Sequence, residues 1–412
     1  MEQSANLSYA LNTFYLLMSG AFVMLMAAGF SMLEAGMVRS KNTVEILTKN
    51  IALYSIACLM YMLFGYHIMY PDGGNGLIPF VHLGFSADND SIAVLGGGAA
   101  FSHMADFFFQ LVFVATAMSI VSGVVAERMK LWSFLVFATI FCAVIYPIQG
   151  YWKWGEGFLH QLGFYDFAGS GVVHLAGAAA AVAAVILLGA RLGKYGKNGQ
   201  VRAIPGCNMP LATLGTFILW FGWFGFNGGS QLNIASITDA NAVALVFVNT
   251  NMAAAAGVVA AMLASKFKFG KPDLTMALNG ALAGLVAITA DPLSPTPFVA
   301  TLIGAVAGVL VFYAIMFIDK LKLDDPVGAI SVHGINGIWG LLALTFSNPK
   351  TSFLIQLLGV TVIFAFVFIC SFAVWYLLKK TVGIRVTEEE EMNGLDISEC
   401  GLEAYPDFIT KH

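Results

Sequence analysis

Apolar segments of about twenty residues recur along the whole chain, and they limit the possible folds more than any other feature. A helix needs about twenty apolar residues to cross a bilayer core roughly 30 Å thick. The segments lie near residues 12–38, 50–70, 102–127, 131–150, 168–189, 209–229, 241–265, 273–290, 298–318, 328–347 and 353–378. The sequence therefore predicts an all-α integral membrane protein with eleven transmembrane helices.

Composition supports this class and argues against a soluble enzyme. Hydrophobic residues make up 58% of the chain and charged residues 11%, whereas soluble domains carry about 25% charged residues. The five cysteines form no CxxC pair, so neither a disulfide framework nor a zinc site is predicted. No nucleophile–base pair, metal-ligand spacing or phosphate loop is recognised. We expect no catalytic residue, no metal, no cofactor and no nucleic-acid partner.

The distribution of positive charge predicts how the chain is oriented. Of the 20 Lys and Arg residues, 18 fall in one alternating set of connections, and only Lys153 and Lys350 fall in the other. The larger set comprises Arg39, Lys41, Lys49, Arg128, Lys130, Arg191, Lys194, Lys197, Arg202, Lys266, Lys268, Lys271, Lys320, Lys322, Lys379, Lys380, Arg385 and Lys411. The positive-inside rule makes that set cytoplasmic. We therefore expect an N-out/C-in protein of the cell inner (cytoplasmic) membrane, which requires an odd number of spans.

Two segments resemble each other and indicate an internal repeat. Residues 166–174 read DFAGSGVVH and residues 325–333 read DPVGAISVH. Both run from Asp to Gly three residues on, and both end in Val-His. Five spans separate them, so the copies should run in opposite directions, as in inverted-repeat transporters. We expect a transmembrane domain over 1–380, with 5+5 repeats near 1–205 and 206–350, a long span 11 near 353–378, and a cytoplasmic regulatory tail over 381–412.

The repeat predicts where its two histidines lie. Asp166 and Asp325 are natural N-caps, and Pro326 suits a first helical residue. Eight helical residues rise about 12 Å, which would bring His174 and His333 near the midplane from opposite faces. Capping alone is an adequate role for the two Asp residues. A single His could be an interhelical hydrogen-bond partner, but two symmetry-related ones favour a pore lining.

Two buried imidazoles should be neutral at pH 7 because desolvation disfavours the charged form. Each then has one donor and one acceptor nitrogen, which suits a small neutral polar molecule or a proton relay. The predicted outer side is instead rich in aromatic faces, which attract cations. These aromatic residues are Tyr151, Trp152, Trp154, Phe158, Trp220, Trp223, Phe226, Phe107, Phe108, Phe109 and Phe113. An interfacial aromatic belt accounts for Tyr151, Trp152 and Phe158. A cation site followed by a neutral pore implies deprotonation, which ammonium and ammonia fit.

These residues resemble the ammonium transporter/methylammonium permease family, which is related to Rhesus proteins, in its bacterial or archaeal type. The matching motifs run through nearly the whole chain. They are AGMVRSKN at 35–42, AER at 126–128, DFAGSGVVH at 166–174, GWFGFNGGS at 222–230, FVNT at 247–250, DDP at 324–326 with VHG at 332–334, and TVGIR at 381–385 with GLD at 394–396.

The resemblance implies a homotrimer in which each subunit has its own pore. It assigns Trp154, Phe113 and Ser230 to an outer ammonium site, and Phe113 with Phe226 to a gate below it. His174 and His333 would be the twin pore histidines. Asp166 and Trp223 would give the site structural support. The family function is net ammonium uptake, with ammonia and a proton crossing by separate routes and methylammonium as an analogue substrate. A PII-type signalling protein is an implied partner at the cytoplasmic face.

Three features leave alternatives open. Glu34, near the inner end of span 1, is expected to snorkel to the surface or to bias cations that leave the pore. Asn336 shares a helix face with His333 and could hydrogen-bond in the inner pore. The four glutamates at 388–391 suggest a solvated face.

Two other functions compete with transport. An ammonium sensor would bind the ion but conduct little. Sensors of this family carry a fused signalling domain, and the roughly 34 residues after span 11 are too few for one. A Rhesus-like neutral gas channel would not need the aromatic cation site of Trp154, Phe113 and Ser230.

Overall fold

The computed structural model describes residues 2–71, 73–79 and 100–406. This part of the chain forms helices and no strand. The helices are α1 (Glu2–Met37), α2 (Ser40–Met69), α3 (His103–Val124), α4 (Leu131–Gln161), α5 (Ser170–Leu188), α6 (Met209–Gly229), α7 (Ile237–Phe269), α8 (Leu274–Thr289), α9 (Pro297–Lys320), α10 (Ile330–Phe346), α11 (Phe353–Thr381) and α12 (Glu388–Asn393).

Each predicted apolar segment coincides with a helix. Among the described residues, nine helices are long and apolar enough to cross a membrane, and α8 and α10 are shorter apolar helices. Several helices extend beyond the predicted segments: α2 begins near residue 40, not 50, and α7 covers Ile237–Phe269. Apolar composition locates the lipid-embedded part of a helix but not its ends, which continue into polar sequence. Lys411 of the predicted cytoplasmic set lies outside the described residues.

Small residues allow the helices to pack with their backbones nearly touching. A Cβ added to Gly304 of α9 or to Gly284 of α8 would collide with the carbonyl oxygen of Ala253 in α7. Since lipid offers no hydrophobic driving force between helices, such close van der Waals packing is a main source of their association. The helices α7, α8 and α9 therefore form a tightly packed group.

The loops at one end of the bundle meet in a buried ionic cluster. Arg191 donates both Nε and a terminal NH₂ to the two carboxylate oxygens of Asp324, at 2.8 and 2.9 Å, and it also pairs with Glu127 at 3.2 Å. Arg39 pairs with the same Glu127 oxygen at 2.7 Å. Arg128 is fully buried and donates to the backbone oxygen of Asp324. Connections that are far apart in sequence are therefore held together by charge-assisted hydrogen bonds.

The cluster remains ionised at neutral pH. Burial by itself would raise the pKa of Asp324, but the adjoining Arg191 and Arg128 bring it well below its usual range. Burial also opposes ionisation of Glu127, whose pKa is nevertheless lowered by Arg191 and Arg39. Each carboxylate therefore keeps its charge, as a buried ion pair requires.

The C-terminal segment is fastened to the same end. Glu391 is buried, pairs with Arg385 at 2.7 Å, and accepts a hydrogen bond from the backbone of Leu192. Asp396 accepts from the backbone N–H groups of Thr43 and Glu45. The solvated face expected for the glutamate run is wrong for Glu391, because the tail folds back and buries that side chain beside Arg385.

Replacing Asp324 with Asn should remove the partner of Arg191 and leave buried positive charge uncompensated. We expect a loss of about 3–5 kcal/mol in the free energy of unfolding, measured by chemical denaturation of the detergent-solubilised protein. In the wild type this stabilisation is complete at neutral pH. It is lost only as the pH falls below the unfolded-state pKa of about 3.9 toward the lower folded value.

Asp319→Asn is the matched control, since Asp319 pairs with Lys194 at 2.9 Å but is 24% exposed. Its cost should stay below about 1 kcal/mol. Equal losses in the two variants would contradict the role given to the buried cluster.

Candidate functional site

A cavity of roughly 290 Å³ brings together the three residues predicted to bind a cation. Phe113 of α3, Trp154 of α4 and Ser230 at the end of α6 all line it. The rings of Phe113 and Trp154 meet edge to face, with centroids 5.9 Å apart. We call this space the aromatic cavity; its other lining residues are Tyr70, Phe101, Asp106, Phe109, Gln110, Phe167 and Leu232.

Two hydrogen bonds orient the polar groups of the aromatic cavity. Trp154 Nε1 donates to the backbone oxygen of Asp166 at 3.1 Å, which fixes the indole ring. The Ser230 hydroxyl donates to the backbone oxygen of Phe226 at 2.8 Å. Since its proton is used in this way, the oxygen of Ser230 offers only acceptor lone pairs to a ligand. Such an oxygen beside aromatic faces suits a donor cation.

Asp106 is a lining residue that our reading of the sequence missed. It is the carboxylate among the residues lining the aromatic cavity, and it accepts hydrogen bonds from Tyr66 Oη at 2.7 Å and Gln110 Nε2 at 3.4 Å. Asp106, Gln110 and Phe113 are spaced four and three residues apart, so they lie on one helix face. That spacing was the signal available in the sequence.

Two of the aromatic residues attributed to an interfacial belt are not at the surface. Tyr151 and Trp152 are each 5% exposed. The Tyr151 hydroxyl accepts from the backbone of Gly76, and Trp152 Nε1 donates to the backbone oxygen of Leu77. The belt interpretation is therefore wrong for these two residues, because the chain after α2 folds over them. Phe158 is partly buried beside Trp152.

Phe113, which lines the aromatic cavity, is paired with Phe226. Their rings stack with centroids 4.0 Å apart, and both side chains are buried. The ring of His174 lies beyond Phe226, with centroids 5.4 Å apart. Phe226 thus contacts both Phe113, which lines the aromatic cavity, and His174 of the histidine pair.

His174 and His333 are in direct contact despite being 159 residues apart. Their Nδ1 atoms lie 3.1 Å from each other and both side chains are buried. One of these nitrogens must donate and the other accept, so a single proton occupies the shared hydrogen bond. The structure thus brings the two predicted histidines together, as the repeat suggested.

Trp223 supports the histidine pair and not the aromatic cavity. Its ring stacks on His174 with centroids 5.0 Å apart, and its Nε1 donates to Thr289 Oγ1 at 2.7 Å. The hydroxyl of Thr289 donates in turn to Asn227. This network holds the indole in position, so Trp223 sets the orientation of the His174 ring.

The carboxylates of Asp166 and Asp325 organise the backbone that precedes each histidine. Asp166 is buried and accepts from four consecutive N–H groups, those of residues 169–172, at 2.8–3.2 Å. Asp325 accepts from Val327, Gly328 and Ile330. Gly169 and Gly328 have φ of 109° and 81°, a left-handed conformation that glycine adopts without strain.

The two helices differ in one respect from the simple caps predicted. Their first turns, Ser170–Leu175 and Ile330–Ile335, are π-helical, and each contains its histidine. Pro326 lies in the turn before α10 and is not its first helical residue, because Asp325 reaches over that turn to cap it. The wider π turns occur often at functional sites.

A small cavity of roughly 10 Å³ lies on the other side of the histidine pair, and both His333 and Glu34 line it. Glu34 is 1% exposed, so the expected snorkelling is wrong: its position on α1 faces α2 and α3, not the surface. A large cavity of roughly 730 Å³ adjoins this region and shares Asn279 and Val327 with it.

Asn336 donates to the backbone oxygen of Ser331, so its amide nitrogen stabilises the π turn.

In the described ranges, no group of three His, Cys, Asp or Glu side chains could hold a metal ion. The arrangement instead combines an aromatic cavity that carries one carboxylate, a closed hydrophobic partition and two imidazoles joined by one hydrogen bond. Such a column can attract a small cation and exchange a proton with it.

The chain is similar to known proteins over nearly its whole length. The family model described as "Ammonium Transporter Family" matches residues 14–405. The chain is 43% identical to "Ammonium transporter Amt2" of Archaeoglobus fulgidus, over 95% of this chain and 88% of that protein. It is 32% identical to the "Ammonium transporter" of Bacillus subtilis, over 97% and 99% of the respective chains.

Solved structures give the same fold. A protein titled "Sensor Amt Protein" superposes with a TM-score of 0.89 at 38% identity, covering 96% of this chain and 99% of that one. Candida albicans Mep2 superposes with a TM-score of 0.81 at 27% identity, covering 97% and 92%.

Replacing Asp166 with Asn should destabilise the turn that leads into His174. The amide nitrogen of Asn cannot accept, so two of the four N–H groups lose their partner. We expect the free energy of unfolding to fall by about 3 kcal/mol or more, measured by denaturation in detergent. Asp325→Asn should cost less because Asp325 binds three N–H groups and is only partly buried. An Asp166→Asn variant as stable as the wild type would refute the capping role.

Proposed function

The chain belongs to the ammonium transporter family, and on that basis we propose that it takes up ammonium by deprotonating it at the Phe113–Phe226 partition. It is a multi-pass membrane protein with ammonium or ammonia as its substrate. Ammonium is recruited in the aromatic cavity by Trp154, Phe113 and Ser230. Ammonia then passes His174 and His333, while the proton moves separately, with net ammonium uptake as the result.

The observation that carries this proposal is the abrupt change of environment along the column. The aromatic cavity presents ring faces, the acceptor oxygen of Ser230 and the carboxylate of Asp106, all of which favour a cation. Beyond the stacked phenyl rings the described column offers two imidazoles and no carboxylate until Glu34. An uncompensated cation there would be costly, whereas neutral ammonia would not.

The histidine pair provides a route for the released proton. The Nδ1–Nδ1 distance of 3.1 Å allows one hydrogen to transfer between the rings without movement of either ring. Trp223 keeps the His174 ring in its plane. A proton delivered to one imidazole can thus leave from the other, and ammonia can pass beside the pair.

We also propose the architecture in which this column works. Eleven spans in the N-out/C-in orientation, with inverted repeats near 1–205 and 206–350, would place the aromatic cavity outside and the large cavity in the cytoplasm. The distribution of Lys and Arg supports this orientation. The Asp-capped turns of α5 and α10 support the repeat. The homotrimer, the inner-membrane location and a PII-type partner at the cytoplasmic face are inferences from the family.

An ammonium sensor with little conduction is the second candidate. One observation favours it: the similar structure titled "Sensor Amt Protein" has a TM-score of 0.89. The closed stack of Phe113 and Phe226 is compatible with a protein that binds and does not conduct. A Rhesus-like gas channel has less support, since it has no use for a carboxylate and an acceptor hydroxyl beside the aromatic rings.

Charge movement after an ammonium jump in proteoliposomes separates these functions. The wild type should give a transient current, and the double variant His174→Ala with His333→Ala should give none because the proton route is lost. Folding and assembly size should be unchanged.

His160→Ala is the control, since His160 is exposed and lies outside the column; it should behave as the wild type. Unchanged current in the double variant would discard the relay. Absence of current in the wild type, with ammonium binding still measurable, would establish the sensor function instead.

Ser230→Leu should weaken ammonium recognition. The substitution removes an acceptor and fills part of the aromatic cavity, so the concentration for half-maximal current should rise about tenfold, equivalent to about 1.4 kcal/mol. Ser352→Leu makes the same chemical change at an exposed position whose side chain makes no capping hydrogen bond. That control should keep the wild-type affinity. Normal affinity in Ser230→Leu would remove Ser230 from the proposed site.

A further inference from the structure

We propose that Glu34 is a proton-accepting group of the pore, which takes the proton that leaves His333 and passes it toward the large cavity. This inference rests on the proposed function, which supplies the proton. Glu34 belongs neither to the histidine pair nor to the residues that line the aromatic cavity.

Glu34 is a carboxylate held in the interior with half of its hydrogen-bonding capacity unused. Its Oε2 atom accepts from Ser122 Oγ at 2.7 Å and from Asn50 Nδ2 at 3.0 Å. Its Oε1 atom is buried and has no hydrogen-bond partner. A buried polar atom left in this state is costly. A purely structural carboxylate would be expected to satisfy both oxygens.

The small cavity places this carboxylate next to the histidine pair. Glu34 of α1 and His333 of α10 both line it, together with apolar residues of α1, α3 and α8. Its volume of roughly 10 Å³ is close to the minimum that one water molecule needs. A single water between the imidazole and the carboxylate would complete a short hydrogen-bonded path.

An exit exists on the far side of Glu34. Asn279 and Val327 line both the small cavity and the large one. The large cavity, at roughly 730 Å³, is spacious enough for many waters. Asn279 and Val327 therefore form part of the wall between the small cavity, which Glu34 lines, and this wide cavity.

The proposed step balances without any further reactant. The N–H bond of the His333 imidazolium breaks, an O–H bond forms on Glu34, and the imidazole becomes neutral again. The carboxylic acid then gives the proton to water or to ammonia in the large cavity, which regenerates the carboxylate. Ser122 and Asn50 both donate to the same oxygen, so they hold the group in place while its other oxygen takes the proton.

Few other charges act on Glu34. Lys49 and Glu45 of α2 form a buried pair at 3.5 Å and act on Glu34 with opposite signs. His333 faces Glu34 from α10, and α6 contains no acid or base. The titratable residues of α3 are His103 and Asp106, at the end of that helix opposite to Ser122. The charged neighbours of Glu34 are thus the Lys49–Glu45 pair, and the titratable group that shares its cavity is His333.

Glu34→Gln tests this role because it keeps an acceptor oxygen for Ser122 and Asn50 but cannot take a proton. In proteoliposomes at matched internal and external pH between 5.5 and 8, we expect its ammonium-induced charge movement to fall by about tenfold or more. The pH dependence of the remaining current should also be flatter than that of the wild type. Ammonium binding in the aromatic cavity should be unchanged.

Glu389→Gln makes the same chemical change at an exposed position of α12 and should match the wild type. Glu34→Asp, which keeps a titratable group, should retain more current than Glu34→Gln. A Glu34→Gln variant with wild-type current and pH profile would overturn the inference and leave the proposed function intact. Equal losses in the Asp and Gln variants, with an unchanged pH profile, would indicate a structural role and overturn it as well. Absence of current in the wild type would remove the proposed function together with this step.

Discussion

The hydrogen bonds from the backbone to Asp166 and Asp325 are the interaction on which the centre of the molecule depends. Each carboxylate accepts hydrogen bonds from the backbone N–H groups of an irregular turn. Without it these N–H groups would have no hydrogen-bond partner inside a bilayer. Because these turns are satisfied, α5 and α10 can begin within the bundle, and their first π turns can direct His174 and His333 at each other. An apolar residue at either position would leave the backbone N–H groups of that turn without a hydrogen-bond acceptor.

The path from the aromatic cavity through the histidine pair to Glu34 passes through four chemically different environments. Aromatic faces and one carboxylate, Asp106, line the first cavity; stacked phenyl rings close it; two imidazoles share one proton; and a second carboxylate, Glu34, stands beyond them. A cation is favoured at both ends and disfavoured between them. The transport mechanism that we propose rests on this order of environments, in which a proton would separate from its carrier between the two ends.

The end of the bundle near the large cavity is held by charge. Arg191 joins Asp324 and Glu127, and the returning tail adds Glu391 and Asp396. Arg191 also lines the large cavity, so the ionic cluster and the far end of the column share a residue. The tail is connected to this wall by the hydrogen bond that the backbone of Leu192, the residue after Arg191, donates to Glu391.

The sequence alone determined the membrane class, the positions of the helices and the two-histidine motif, because hydrophobic length, helical spacing and repetition are local properties that packing does not alter. It also identified Phe113, Trp154 and Ser230, through resemblance and not through geometry. Only the tertiary structure decided which polar groups are buried together. Glu34 accepts hydrogen bonds from Asn50 and Ser122, Glu391 accepts one from the backbone of Leu192, and Asp106 accepts one from Tyr66. The physical reason is that burial of a charge depends on partners tens to hundreds of residues away, which no local pattern encodes.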